Sequence, residues 1–275
     1  MSFLVNGIEV QDVNFNGNEV KTVYVNNVLV WDKIALSWPG WTDANWGDIY
    51  DLCLRRKTTG CDWPSDIQLG VSKRVYFTET VLGSTYVNAY LVGIEIEGPG
   101  TLTFQTYTLN NTITYCDYSD TGYWSYSGSN LKGIMDSLNG KTSVDDYVIP
   151  QDKQYTQAYK YYISGGGVSY KLNSYTLADQ KYWIPSANEL GFTNTSYYLK
   201  PEYTVGVDTP YGFRPAISAV YPYWTRTPGL DSSYSQMTGK YALYAANQGL
   251  NLAAVNANKY VSFCFTIGYF DEEAN

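Results

Sequence analysis

The stretch YPYWTRTPGLDSSYS, residues 221–235, sets four aromatic rings, one arginine and two prolines among small polar residues. Proline and glycine interrupt it too often for a helix or a long strand. Two readings follow. In one, Tyr223-Trp224-Thr225 is a core strand running into a turn at Pro228-Gly229. In the other, the segment is a recognition surface, because tyrosine and tryptophan offer large contact area for few rotatable bonds.

Working outward, KYWIPSANELGF (181–192) predicts a strand that turns at Pro185 into the capping-box spacing Ser186-x-x-Glu189, followed by a short helix that Gly191 ends. KQYTQAYKYYISGGGVSYKLNSYTL (153–177) reads as a tyrosine-rich hairpin. Its triple glycine is followed by a strand and by no Lys-Ser/Thr, so a hairpin turn is favoured over a phosphate cradle. Residues 73–116 form strand-like runs broken at Gly83, Gly98-Pro99-Gly100 and Asn110-Asn111, which predicts antiparallel hairpins.

Two main helices are expected. In the first, Trp46, Ile49, Tyr50, Cys53 and Leu54 form one apolar stripe; Asp43 is the candidate cap, Arg55, Arg56 and Lys57 sit near the negative end of the dipole, and Gly60 lies beyond. The second runs from Leu131 to Leu138 with Ser129 as cap and Gly140 as stop.

At the N-terminus, short apolar runs alternate with Asn6-Gly7, Asn16-Gly17 and Asn26-Asn27, dipeptides that accept the left-handed conformations of tight hairpin turns. Residues 1–33 therefore read as a small all-β meander of about four strands. DKIALSWPGWTD (32–43) reads as the connection to a second domain, residues 41–275, of α+β class.

Composition narrows the function. Among 275 residues, aromatics reach 17% and charged residues only 16%, with 29 tyrosines, a balance that favours β-structure and wet contact surfaces. A net charge of −8 and a pI near 4.6 argue against nucleic-acid backbones and anionic bilayers as partners. The start MSFLVNGIEV lacks the basic and apolar regions of a signal peptide, and no run reaches the ~18 apolar residues of a membrane span.

Histidine is absent, which removes the commonest general base. Asp145-Asp146 and Asp271-Glu272-Glu273 read as solvated acids serving solubility rather than as a catalytic pair. The four cysteines, Cys53, Cys61, Cys116 and Cys264, are scattered without a C-x-x-C, and read as free, mostly buried thiols rather than as a disulfide pair. No enzyme activity, cofactor or metal site is expected.

YWSYSGSNLKGIMDSLN (123–139), KYWIPSANELGF and YWTRTPG (223–229), closed by SFCFTIGYF, together resemble a family of unknown function found in Gram-positive bacteria and their phages, marked by an aromatic-W-x-R-[ST]-P turn. That family is similar to the C-type-lectin-like fold, and the likeness spans about residues 46–270. It implies a structural signature of Trp124, Trp183, Pro185, Trp224, Arg226 and Pro228. For Arg226, a structural role in pinning the turn is favoured over an outward role toward an acidic ligand. The Glu-Pro-Asn and Trp-Asn-Asp motifs of calcium-dependent sugar binders are missing, as is the cysteine pair of formylglycine-generating enzymes.

KTVYVNNVLVW separately resembles small β-modules in structural proteins of tailed phages. The two resemblances imply a virion protein made in the host cytoplasm and present in several copies. Its N-terminal module would dock on other virion subunits, and its lectin-like domain would bind a host-surface glycan or protein. The candidate ligand residues are Tyr234, Gln236, Tyr241, Tyr244, Asn247, Asn251, Asn256 and Asn258. A purely structural virion protein is the alternative reading, and a glycan-acting tail enzyme a minor one.

Overall fold

A computed structural model describes residues 3–5, 8–10, 13–15, 18–20, 22–25, 28–32, 38–115, 126–163, 167–192, 209–218, 220–228, 241–246 and 249–269. Trp124, Cys116, Tyr234, Gln236, Asn247 and the acids 271–273 lie outside them.

The N-terminal strands are β1 (Phe3–Val5), β2 (Ile8–Val10), β3 (Val13–Phe15), β4 (Asn18–Val20), β5 (Thr22–Val25) and β6 (Val28–Asp32). Val5 pairs with Ile8, Phe15 with Asn18 and Val25 with Val28, so each ladder closes around one of the three Asn-containing dipeptides. Six strands in three two-stranded ladders replace the expected meander of about four. The pairing partners flanking each Asn-containing dipeptide were legible in the sequence.

Within the stretch expected to be a connection, Trp38 and Trp41 already pack into the main body. Trp38 Nε1 donates to the Asp66 carboxylate at 3.1 Å, and the Trp41 backbone N–H reaches the same group at 2.6 Å. Helix α1 (Trp46–Thr59) follows. Its cap is Asn45, not Asp43: the Asn45 side chain accepts from the Asp48 N–H while the Asp48 carboxylate accepts from the Asn45 N–H, closing a full capping box. Gly60 ends the helix with φ +67°, a left-handed position where glycine carries no steric cost.

Four strands form the central antiparallel sheet in the order β17-β9-β8-β7, where β7 is Ser72–Val81, β8 Ser84–Ile94, β9 Leu102–Thr106 and β17 Cys264–Ile267. Strand alternation assigns its two faces. Val75, Val87, Ala89, Leu91, Phe104 and Phe265 point into the first core, against Trp46, Ile49, Leu52 and Cys53 of α1; of the stripe expected from sequence, Tyr50 and Leu54 are only half-buried, and Leu52 is buried instead. Phe104 stacks on Phe265 with ring centres 5.3 Å apart, and Trp46 meets Phe104 edge-on at the same distance.

The opposite face is only half covered. Over β9, β17 and the end of β8 lies a second core containing Val92, Trp183, Ala187, Leu190, Tyr211, Tyr223 and Cys264. Over β7 and β8 the same face carries Arg74, Tyr76, Tyr86 and Asn88, all exposed. That asymmetry positions the site described below.

The remaining elements frame these cores. A two-residue strand, β10 (Ile113–Thr114), precedes helix α2 (Asn130–Ser137), whose cap is Ser129 as the sequence predicts. A long hairpin pairs β11 (Gln151–Ile163) with β12 (Gly167–Gln180). β13 (Tyr223–Pro228), β14 (Tyr241–Ala246) and β15 (Gly249–Ala254) make a three-stranded sheet, and β16 (Asn258–Lys259) pairs with β10. Residues 181–192 do not form the expected helix. Both capping-box bonds are present, Glu189 N–H to Ser186 Oγ at 3.1 Å and Ser186 N–H to Glu189 Oε2 at 2.8 Å, but they close a single turn before Gly191 at φ +74°.

Candidate functional site

Four of the signature residues, Trp183, Pro185, Trp224 and Arg226, are interior. Trp183 and Trp224 are fully buried, and Arg226 is 1% exposed. Trp224 Nε1 donates to the Ile113 carbonyl at 2.9 Å, and its ring meets Tyr115 edge-on. For Tyr223-Trp224-Thr225 the core-strand reading holds. Pro185 is buried as well, and Pro228 ends β13 opposite Ala242.

Arg226 pins the turn through a carboxylate and two carbonyls. Its Nη1 lies 2.5 Å from Glu189 Oε2 and 2.8 Å from the Ile184 carbonyl, and Nε donates to the Gln154 carbonyl at 3.0 Å. Glu189 also pairs with Lys153 at 3.2 Å, and Lys153 reaches Glu97 at 2.5 Å while lying 4.2 Å from the centre of the Trp183 ring. Burial alone would raise the Glu189 carboxyl, but Arg226 and then Lys153 outweigh it and bring it down to about 2. The network ties the base of the long hairpin, the 186–191 turn and β13 into one unit.

Other polar groups are similarly committed. Asp145, read from sequence as a solvated acid, instead accepts from the Tyr182 hydroxyl at 3.0 Å and pairs with Lys181 at 3.2 Å, because the 3-10 turn at Asp145–Tyr147 folds it against residues 181–182. Glu95 is held by Arg56 at 2.7 Å. Cys53, Cys61 and Cys264 are free thiols, and burial pushes the first and last upward, away from reactivity. Among the described residues no group of three or more His, Cys, Asp or Glu is placed to hold a metal ion.

A concave site among the described residues lies elsewhere, on the open half of the central sheet. Along β8, Tyr86, Asn88 and Tyr90 project outward while Val87, Ala89 and Leu91 point inward. After β9 the chain continues beside β8, with the Tyr107 N–H donating to the Asn88 carbonyl at 2.7 Å. These residues, with Thr108 and Asn110, line a cleft of about 390 Å³ where the second core's cover stops.

Its rings are braced. Tyr86 is 47% exposed, yet Tyr76 lies beside it with centres 6.0 Å apart and the Arg74 guanidinium sits 4.9 Å over its ring. Tyr90 stacks with Phe213, and Tyr107 meets Tyr221, which meets Tyr260 at 5.2 Å. Neither a carboxylate nor a cation lines the cleft. Its chemistry is that of ring faces, amides and hydroxyls.

Of the residues proposed from sequence, Asn251, Asn256 and Asn258 are exposed, on β15, the following turn and β16. Tyr244 is the register partner of both Asn251 and Trp224, and Tyr241 pairs with Ala254. None of these lines the cleft. The signal that would have found Tyr86, Asn88 and Tyr90 is their period of two in STYVNAYLV.

The fold and site together define a mixed α+β protein, mostly antiparallel strands, with a ring-and-amide cleft on a half-covered sheet. Among the described residues no helix is long and apolar enough to cross a membrane. No family model, curated protein or solved structure matches the chain.

Proposed function

We propose that the chain is a bacteriophage virion protein that attaches to a molecule on the host surface, with a C-type-lectin-like body and no catalytic step of its own. The observation that carries this reading is the exposed, braced array of Arg74, Tyr76, Tyr86 and Asn88 beside the cleft. Rings held in one pose lose little entropy when they engage a partner. A sheet face that the rest of the body covers only in part is also the expected place for such contacts.

The resemblance of the 123–139, 181–192 and 223–229 motifs to the lectin-like family supports the body's assignment, and the buried roles of Trp183, Trp224 and Arg226 suit a structural signature. The N-terminal hairpins are the docking module, joining neighbouring virion subunits by strand pairing or an apolar face, with several copies per particle. The host-facing residues then include the cleft as well as Asn251, Asn256 and Asn258.

A density map of the intact particle tests this. The expected result places residues 3–32 against a neighbouring subunit and the Tyr86–Asn88 face toward solvent. A map in which that face is buried against another subunit would establish the purely structural role instead.

A further inference from the structure

We infer that the cleft between Tyr86, Tyr90 and Tyr107 is a saccharide subsite that takes a neutral pyranose ring. This inference rests on the surface-binding reading above and names the class of ligand that one part of the surface accepts.

Volume, charge and donor pattern each narrow the occupant. A cleft of about 390 Å³ falls at the lower end of the roughly 300–1,000 Å³ typical of small-molecule sites, which suits the end of a glycan rather than a folded partner. No ionised residue lines the cleft, the neighbouring Arg74 guanidinium is engaged over the Tyr86 ring, and the net charge of −8 on the chain disfavours an anionic ligand at long range.

The walls match a sugar. The negative face of a tyrosine ring attracts the weakly positive C–H edge of a pyranose, and Tyr86 is held upright by Arg74 and Tyr76 rather than free to collapse. Between the rings, the Asn88 carboxamide is exposed, and a carboxamide offers two donors and an acceptor to adjacent hydroxyls. The Asn110 amide donates to the Gly83 carbonyl at 2.9 Å, which fixes its plane.

An extended peptide fits less well. The floor of the cleft is β8, whose backbone is already paired with β7 on one side and with β9 and Tyr107 on the other, so no strand edge is free beneath it for β-augmentation. A lipid tail is disfavoured by the same amides and hydroxyls.

The test is NMR titration of the full chain, with tyrosine ring and asparagine side-chain amide protons assigned, using methyl glucoside, methyl galactoside and methyl N-acetylglucosaminide, and methyl glucuronide as the anionic comparator. The expected result is shifts confined to Tyr86, Tyr90 and Tyr107 with a Kd of about 1 mM for at least one neutral glycoside. Tyr86→Ala and Asn88→Ala should each weaken that binding about tenfold while leaving thermal unfolding unchanged. Tighter binding of the glucuronide, or saturation without cleft shifts, overturns the inference.

Two outcomes separate this inference from the reading it rests on. Glycoside shifts appearing instead at Asn251, Asn256 and Asn258 would remove the subsite while leaving surface attachment intact. Cleft binding by a chain whose Tyr86 face is buried in the particle would keep the subsite and remove the attachment role.

Discussion

Replacing Glu189 with alanine is expected to lower the unfolding free energy by about 3–5 kcal/mol, because Arg226 and Lys153 would remain buried without their shared counter-charge. The carboxylate also closes the 186–189 box, so the same change releases the Ser186 N–H. Glu189→Gln keeps an acceptor for that N–H and should lose less. Replacing Glu189, Arg226 and Lys153 together by apolar residues of similar volume should recover much of the loss, since a buried ion network is costly to break but stabilises little relative to apolar packing. Urea unfolding of the variants measures all three effects.

The same group sets an acid limit. An unfolded glutamate titrates near 4.5, and in the folded chain Glu189 is drawn down to about 2 by cations that outweigh its burial. A depressed carboxyl stabilises the fold fully above its unfolded value and loses that contribution as pH falls from about 4.5 through about 2. At the alkaline end, burial lowers the Lys153 ammonium, but Glu189 and Glu97 outweigh it and hold it above its ordinary value, so its share persists at neutral pH and is lost as pH rises through that raised value. Stability measured against pH should fall on the acid side in wild type and more shallowly in Glu189→Gln.

Phe104→Ala should cost a similar amount, about 3–5 kcal/mol, for a different reason. Phe104 is fully buried at the meeting point of the sheet, α1 and the segment entering the body. It stacks on Phe265, meets Trp46 at 81° and lies over Trp41 with centres 6.3 Å apart. Alanine leaves a cavity bounded by three large rings whose backbones are fixed in separate elements, so little collapse can fill it. In urea, tryptophan fluorescence should show a lower midpoint with an unchanged slope. Tyr86→Ala, on the open face, should shift the midpoint by no more than about 0.5 kcal/mol equivalent.

Local chemistry was legible where a single element decides the outcome. Trp46, Ile49 and Cys53 of the α1 stripe, the left-handed Gly60 and the Ser129 cap follow from spacing, whereas Leu52 is fully buried outside the expected stripe. Asp43 and Asn45 are both chemically fit to cap, and what selects Asn45 is its pairing with Asp48. The box at 186–189 was visible, but its failure to continue as a helix was not, since Glu189 is shared with Arg226 and Lys153 from distant strands.

The candidate site was harder to see. Tyrosine and asparagine are abundant throughout, so their density after residue 230 did not distinguish surface from interior. Tyr86, Asn88 and Tyr90 alternate on β8 in a way that sequence shows, but alternation names a face without saying whether it is covered. That depends on the second core around Trp183, Tyr211 and Tyr223 covering β9, β17 and Val92 of β8 while leaving Arg74, Tyr76, Tyr86 and Asn88 exposed. Only long-range packing supplies that information.

The central claim is that an outward ring-and-amide face, held rigid by the buried core, grips the host surface. Its most direct test is adsorption of particles carrying Tyr86→Ala with Asn88→Ala, compared with wild type at equal particle assembly. The account predicts normal assembly and adsorption reduced by about tenfold or more. Undiminished adsorption by fully assembled double-variant particles would contradict it.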